Sequence, residues 1–353
     1  MTGLAQAQVM MATFPQPSTM LPPCRILPPP LLLLLLGPAM PCSPQPNATR
    51  FVCTEPTLST FPSGLPTTTL AISVEFTALA TLLPTALAGL PHLQELHLSS
   101  NLLSTLPEAL LHPVPTLRVL DLTDNVLADL PASTFTSTIH LQHLVLRGNR
   151  LRALQPAWFR HLPQLQWLDL AANALTEVPP EVFSPLCSLR SLDLSHNHLA
   201  SLAPGALAGL RALERLNLEG NGLGTLPPTA FAPVPALRFL FLQDNELRAL
   251  PSNIFMPLRH LCVLDLARNQ LQTLELPPRF PGPVLDLDIS GNPWACECRL
   301  LSLLRRTAPQ LVTSRDTLCA SPESLRGWEV AIASQSETTG CEPKGDEKQQ
   351  LDP

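Results

Sequence analysis

The stretch Leu93-Gln94-Glu95-Leu96-His97-Leu98-Ser99-Ser100-Asn101 returns as Leu117-Arg118-Val119-Leu120-Asp121-Leu122-Thr123-Asp124-Asn125. It returns again as Leu141-Gln142-His143-Leu144-Val145-Leu146-Arg147-Gly148-Asn149. Leucines and the closing asparagine hold their places while the residues between them change. Aligning on the asparagine extends the series through Asn173, Asn197, Asn221, Asn245 and Asn269, always 24 residues apart. A strict period of this length marks a stack of structural units, each burying one face against the next.

The shared pattern L-x-x-L-x-L-x-x-N is the leucine-rich repeat signature. A degenerate copy precedes the regular ones, with Ile72 and Val74 in phase and Thr77 at the asparagine position; another follows at Val284, Leu287, Ile289 and Asn292, making ten turns. Alternate side chains of a strand point to opposite faces, so each L-x-L core reads as a short strand with both leucines buried. The asparagine amide both donates and accepts, which suits it to backbone groups inside the stack. Leu103 and Leu106, with their equivalents, are often followed by proline, as Pro107, Pro131, Pro179, Pro227 and Pro251, which stops a helix starting there. Ten residues past the asparagine, Leu111, Phe135, Phe159, Phe183, Leu207, Phe231 and Phe255 predict a buried aromatic spine. The fold expected is an α/β leucine-rich repeat solenoid, a horseshoe. Parallel strands would line its concave face, irregular or 3-10 structure its convex side, and disulfide-bonded caps would close both ends.

Composition agrees with repetition. Charged residues are only 14% of the 353, well below the ordinary share, which excludes a disordered acidic chain. The net charge of −6, with both lysines (Lys344 and Lys348) near the end, leaves no basic stripe for nucleic acid. Arg25 followed by Ile26-Leu27, Leu31 to Leu36 and the small residues Gly37 and Ala39 reads as an export signal over 1–39. The apolar run is too short to span a membrane. The remaining organisation expected is an amino-terminal cap over 40–66, repeats over 67–292, a carboxy-terminal cap over 293–341 and a polar tail over 342–353. Asn47-Ala48-Thr49 is a glycosylation acceptor near the first cap.

Cysteines mark the caps. Cys42 and Cys53 flank a Pro-rich segment before the first turn, as expected of a cap closed by one disulfide. Trp294, Cys296, Cys298, Cys319 and Cys341 follow the last turn and resemble the carboxy-terminal flanking cap of extracellular leucine-rich repeats. That family pairs first with third and second with fourth, which implies Cys296–Cys319 and Cys298–Cys341. The rival reading, a four-thiolate zinc site, meets a C-x-C spacing tighter than usual. Cys187 and Cys262 lie three repeats apart, at least roughly 14 Å at about 4.8 Å per strand, too far for a disulfide. Both are expected to be free thiols, Cys187 buried and Cys262 towards the inner surface.

Function must be written on strand positions that are not leucine. Between the last two leucines stand His97, Asp121, Val145, Asp169, Asp193, Asn217, Phe241 and Asp265; one residue before the middle leucine stand Glu95, Val119, His143, Trp167, Ser191, Arg215, Phe239 and Val263. Trp167, Phe239 and Phe241 are large aromatics expected to meet water, as partner anchors do. With His143, Arg215, Asp121, Asp169 and Asp193 they form the candidate binding face, although L-D-L is also a common structural choice in such repeats. Asp193, Ser195 and His196 invite comparison with a catalytic triad, but neighbours on one strand and its turn cannot place a base between nucleophile and carboxylate. No H-E-x-x-H or phosphate loop occurs. The reading is a binding protein without catalysis, cofactor or metal.

The runs Val74-Glu75-Phe76, Leu93 to Asn101, Pro113 to Thr123, Leu213 to Asn221 and Asp288 to Trp294 go beyond the generic repeat and resemble the leucine-rich alpha-2-glycoprotein family of secreted plasma proteins. The resemblance covers most of residues 42–325. It implies an extracellular glycoprotein that modulates transforming growth factor-beta signalling through the co-receptor endoglin, promotes blood-vessel growth and binds cytochrome c. The chain departs from that family in having four cysteines in its last cap and one sequon. Other arrays of this kind serve as regulatory subunits of plasma enzymes or as matrix and innate-recognition modules.

Overall fold

The computed structural model describes residues 42, 48–275, 286–307 and 317–336. All belong to one compact unit within residues 38–353. The expected export signal, Cys24, Asn47, Val284, Cys341 and the polar tail lie outside the described residues.

Among the described residues, eleven strands form a single parallel sheet in chain order. They are β1 (Arg50–Cys53), β2 (Ala71–Val74), β3 (Glu95–His97), β4 (Val119–Asp121), β5 (His143–Val145), β6 (Trp167–Asp169), β7 (Ser191–Asp193), β8 (Arg215–Asn217), β9 (Phe239–Phe241), β10 (Val263–Asp265) and β11 (Asp286–Asp288). Strands β2 to β11 are the ten turns; β1 comes from the amino-terminal cap, where the sequence pointed to no strand. Pairing follows the repeat without slippage, so Leu96, Leu120, Leu144 and Leu168 oppose one another in turn. These leucines and their partners two residues on are fully buried. A shift by one residue would turn every one of them to solvent, which is why the register is so well specified.

The asparagine ladder forms as expected. Asn173 Nδ2 donates to Leu146 O at 2.9 Å, Leu170 O at 3.1 Å and Ala171 O at 3.2 Å, while its Oδ1 accepts the Leu151 N–H at 3.0 Å. One side chain thus ties two successive turns. The same set recurs from Asn125 to Asn269 and at Asn292. In the degenerate first turn, the Thr77 hydroxyl donates to Asn101 Oδ1 in place of the backbone N–H used elsewhere. The residue just before each asparagine, or before Thr77 in the first turn, is left-handed: Phe76, Ser100, Asp124, Gly148, Ala172, His196, Gly220, Asp244, Arg268 and Gly291 have φ between 51° and 68°. Glycine at Gly148 also makes room, because a Cβ there would lie 2.0 Å from Asp124 Oδ1.

On the far side of the stack the phenylalanine spine is buried, with Phe159 and Phe183 centroids 5.3 Å apart and Phe231 and Phe255 stacked at 6.2 Å. Most of this side is turn. One α-helical turn, α1 (Pro156–Phe159), forms where proline occupies the first helical position instead of blocking it.

The disulfides Cys42–Cys53 and Cys296–Cys319 are formed, so the four-thiolate zinc reading is excluded. Cys298 is also disulfide-bonded. The last cap pairs β12 (Trp294–Ala295) with β13 (Cys319–Ser321) and sets α2 (Cys298–Thr307) against α3 (Val330–Gln335). Trp294 is buried across the end of the stack and donates its Nε1–H to Ile289 O at 2.9 Å.

Cys187 and Cys262 are free thiols, but the burial expected of Cys187 is wrong: it is exposed, and Cys262 is buried. Cys187 stands two residues before Leu189, in the turn position that Pro115, Pro163 and Pro235 occupy elsewhere, outside the leucine layer. Cys262, expected towards the inner surface, is buried. It shares a column with Gln94, Arg118, Gln142 and Gln166, and its thiol donates to His260 O at 3.5 Å.

Candidate functional site

The two variable columns project from the sheet face opposite the leucines. Neighbours in a column sit on adjacent strands, so residues 24 apart in sequence come within about 4.8 Å of one another along the sheet. Val145, Asp169, Asp193, Asn217, Phe241 and Asp265 follow in one line, and His143, Trp167, Ser191, Arg215, Phe239 and Val263 in the other.

Trp167, Phe241, Arg215 and His143 are half-buried, each with an edge in solvent. Phe239 departs from expectation, with only 8% of its surface exposed. The reason is local: the guanidinium of Arg238 lies over its ring at 5.6 Å from the centroid. Next to it, Arg215 lies over the ring of Phe241 at 4.3 Å, holding a cation and an aromatic together at the surface. Trp167 and Phe241 stand three strands apart, about 14 Å along the sheet. Burial pushes the His143 imidazole below its ordinary pKa, so it sits on this face as a neutral group.

Each column aspartate spends one oxygen on its own strand. Asp169 Oδ1 accepts the Ala171 N–H at 2.9 Å, Asp265 Oδ1 that of Ala267 at 3.0 Å, and Asp193 Oδ1 both the N–H of Ser195 at 2.9 Å and its hydroxyl at 2.6 Å. This is the structural reason for the recurring L-D-L. It leaves the second oxygen of Asp169 and Asp265 to the face, whereas Asp193 Oδ2 accepts the Asn217 amide at 3.0 Å. Crowding then raises the cost of charge. Burial, followed by repulsion from Asp193, pushes Asp169 up to about 6; burial and then, among other charges, Asp288 push Asp265 to about 6. Asp121 goes the other way: burial works against its charge, but His97 and Thr123 hold it below the ordinary carboxylate range.

The Asp193, Ser195, His196 set has the wiring of a turn, not of a nucleophile. The serine hydroxyl donates to the carboxylate itself, and His196 is a left-handed turn residue whose Nε2 lies 3.9 Å from Glu219. At the amino-terminal end of the face a further group gathers: ligand atoms of Glu75, His97 and Asp121 lie within 4.8 Å of one another. Sequence reasoning passed over it because Glu75 belongs to a different column. The 24-residue pitch, which sets residue 75 beside 99 and residue 97 between 73 and 121, is the signal that could have found it.

Fold and face together define a solenoid of the protein-binding class. The leucine-rich repeat family model matches residues 71–127, 115–175, 139–199, 168–223 and 187–247, and the chain belongs to the leucine-rich repeat family. Among curated proteins it is similar to phospholipase A2 inhibitor beta of Elaphe climacophora, 56% identical over 72 residues, and to the phospholipase A2 inhibitor of Gloydius brevicaudus siniticus, 54% identical over 72 residues. Each match spans 20% of this chain and 22% of the relative. Among solved structures it is similar to one of an octameric complex of Latrophilin 3, Unc5D and the leucine-rich repeats of FLRT2 (TM-score 0.63, 26% identity, covering 80% of this chain and 79% of that one). A Toll–Spatzle complex from Drosophila shares the fold (TM-score 0.59, 22% identity, 75% of this chain and 44% of that one). Among the described residues no helix is long and apolar enough to cross a membrane.

Proposed function

We propose that this chain is an exported, non-catalytic glycoprotein that grips an extracellular protein with its strand face. One observation carries the reading. Trp167, Arg215 and Phe241 stand half-exposed on a rigid sheet, beside Asp169 and Asp193, without being needed to hold the leucine core. Aromatic anchors with an arginine among them are the composition of binding hot spots. The acidic column selects a partner carrying positive charge at matching spacing. Export is supported by the disulfides, which belong to oxidising compartments. In the finer reading, taken from the resemblance to leucine-rich alpha-2-glycoproteins, the partners are the transforming growth factor-beta receptor complex with endoglin, and cytochrome c. The likeness to phospholipase A2 inhibitors favours a second reading, in which the same face occupies a secreted enzyme and blocks it.

Surface plasmon resonance on purified endoglin ectodomain, cytochrome c and a secreted phospholipase A2, each against the wild type and a Trp167→Ala/Phe241→Ala variant, separates these readings. The expected result is binding to one of the three that weakens at least about 30-fold in the variant, on the scale of about 2 kcal/mol for lost hot spots. The circular-dichroism spectrum should be unchanged. Equal affinity in a folded variant would remove the aromatic face from the binding site.

A further inference from the structure

We infer that Glu75, His97 and Asp121 form a binding site for one divalent transition-metal ion, zinc being the ion whose chemistry fits best. The three residues come from successive turns: Glu75 follows β2, His97 ends β3 and Asp121 ends β4. One ligand atom from each lies within 4.8 Å of the other two. Glu75 and His97 are each only 6% exposed, whereas the Asp121 side chain keeps 24%, leaving an entrance on that side.

A carboxylate cluster alone would mean little. The independent observation is His97 Nε2, which is buried and has no hydrogen-bond partner. An orphaned buried imidazole nitrogen is costly and calls for a proton-accepting neighbour, so Nε2 must carry the ring hydrogen and Nδ1 keeps its lone pair free for an ion. The two ring nitrogens point to different acids: Nδ1 lies 3.8 Å from Asp121 Oδ2, and Nε2 lies 3.9 Å from Glu95 Oε2. Metal on Nδ1, the nitrogen beside Asp121, would fix the tautomer so that Nε2 carries its hydrogen towards Glu95. That is the usual arrangement of a ligating histidine, whose other N–H is held by a carboxylate. The outer shell is already present. Ser73 donates to Glu75 Oε2, the Ser99 hydroxyl donates to Oε1 at 2.6 Å, and Arg50 Nη2 holds Glu95 at 3.1 Å. The Glu95 carboxylate is thereby held where Nε2–H would find it.

Charge points the same way. Three carboxylates, Glu75, Glu95 and Asp121, surround one imidazole, and Arg50 is paired with only one of them. A doubly charged ion balances Glu75 and Asp121. Imidazole with carboxylate suits zinc better than the all-oxygen sets that select calcium or magnesium. Bonds of about 2.0–2.2 Å require the ligands to draw in by small side-chain rotations, with a fourth position left to water.

The test is zinc titration of the full chain, freed of metal by chelation, followed by calorimetry and metal analysis after dialysis. One zinc ion per chain is expected, with a thermal transition that rises when zinc is added, because an ion that binds only the folded state stabilises it. His97→Gln and Asp121→Asn should each weaken zinc at least 100-fold, while His112→Gln, on the exposed surface, should leave it unchanged. Retention of one zinc by both His97→Gln and Asp121→Asn, or no stoichiometric zinc on the wild type, overturns the site. Should the variants not fold, cobalt titration of the wild type decides. Visible d–d bands saturating at one equivalent and abolished by zinc support a nitrogen–oxygen site; their absence refutes it.

Discussion

Replacing Asp169 by Asn isolates the electrostatic cost written into the strand face. In the folded protein this carboxyl is pushed up to about 6, first by burial and then by Asp193 on the neighbouring strand. In the unfolded chain it returns to 3.8. A group that holds its proton more tightly when folded favours the folded state in acid. The advantage is whole below pH 3.8 and is lost as pH rises through about 6, so Asp169's contribution to wild-type stability falls across this window and is flat above it. The span from 3.8 to about 6, at about 1.36 kcal/mol per pH unit, corresponds to about 3 kcal/mol; screening on a partly wetted face brings this to about 2 kcal/mol. Asparagine removes the charge and keeps the oxygen that accepts the Ala171 N–H. Its amide would stand beside Asp193, an acceptor on the neighbouring strand. Urea unfolding followed by tryptophan fluorescence between pH 4 and 8 should show Asp169→Asn more stable by about 2 kcal/mol at pH 7.4, the two curves converging near pH 4. Asp265 titrates in both proteins and cancels in the difference. A difference that does not change with pH, or a variant less stable at pH 7.4, would refute the argument.

Asn173→Ala strips donors from Leu146, Leu170 and Ala171 and the acceptor from Leu151; at about 1–3 kcal/mol for each stranded buried group it should cost about 3–5 kcal/mol, read by chemical denaturation. The loss should be no smaller in Asn173→Asp, which keeps the shape and the acceptor but has no N–H to give. A thiol reagent followed by peptide mass mapping should modify Cys187 in the native protein, and Cys262 only after denaturant is added.

Much of this fold is legible because a 24-residue period leaves few alternatives. Once Leu96, Leu120 and Leu144 must share one buried layer, the strands are parallel, in register, and closed by asparagines whose amides have a fixed task. The phenylalanine spine follows from the same alignment, and the first-cap disulfide from two cysteines flanking a Pro-rich segment just before the first turn. The left-handed residue before each asparagine was harder to see. Gly148, Gly220 and Gly291 advertise it, but Phe76, Ala172 and Arg268 adopt the same backbone without any such sign.

Sequence by itself therefore determined the stacking axis, the strand register, the core and the two variable columns of side chains opposite it, because periodic burial is a property of spacing alone. Tertiary structure decided what happens between columns: that Arg238 covers Phe239, that Arg215 braces Phe241, that Asp193 burdens Asp169, and that Glu75, His97 and Asp121 meet. Those outcomes depend on which way long side chains lean across neighbouring turns. A one-dimensional repeat specifies that two residues are neighbours, and only packed coordinates specify which of their atoms touch.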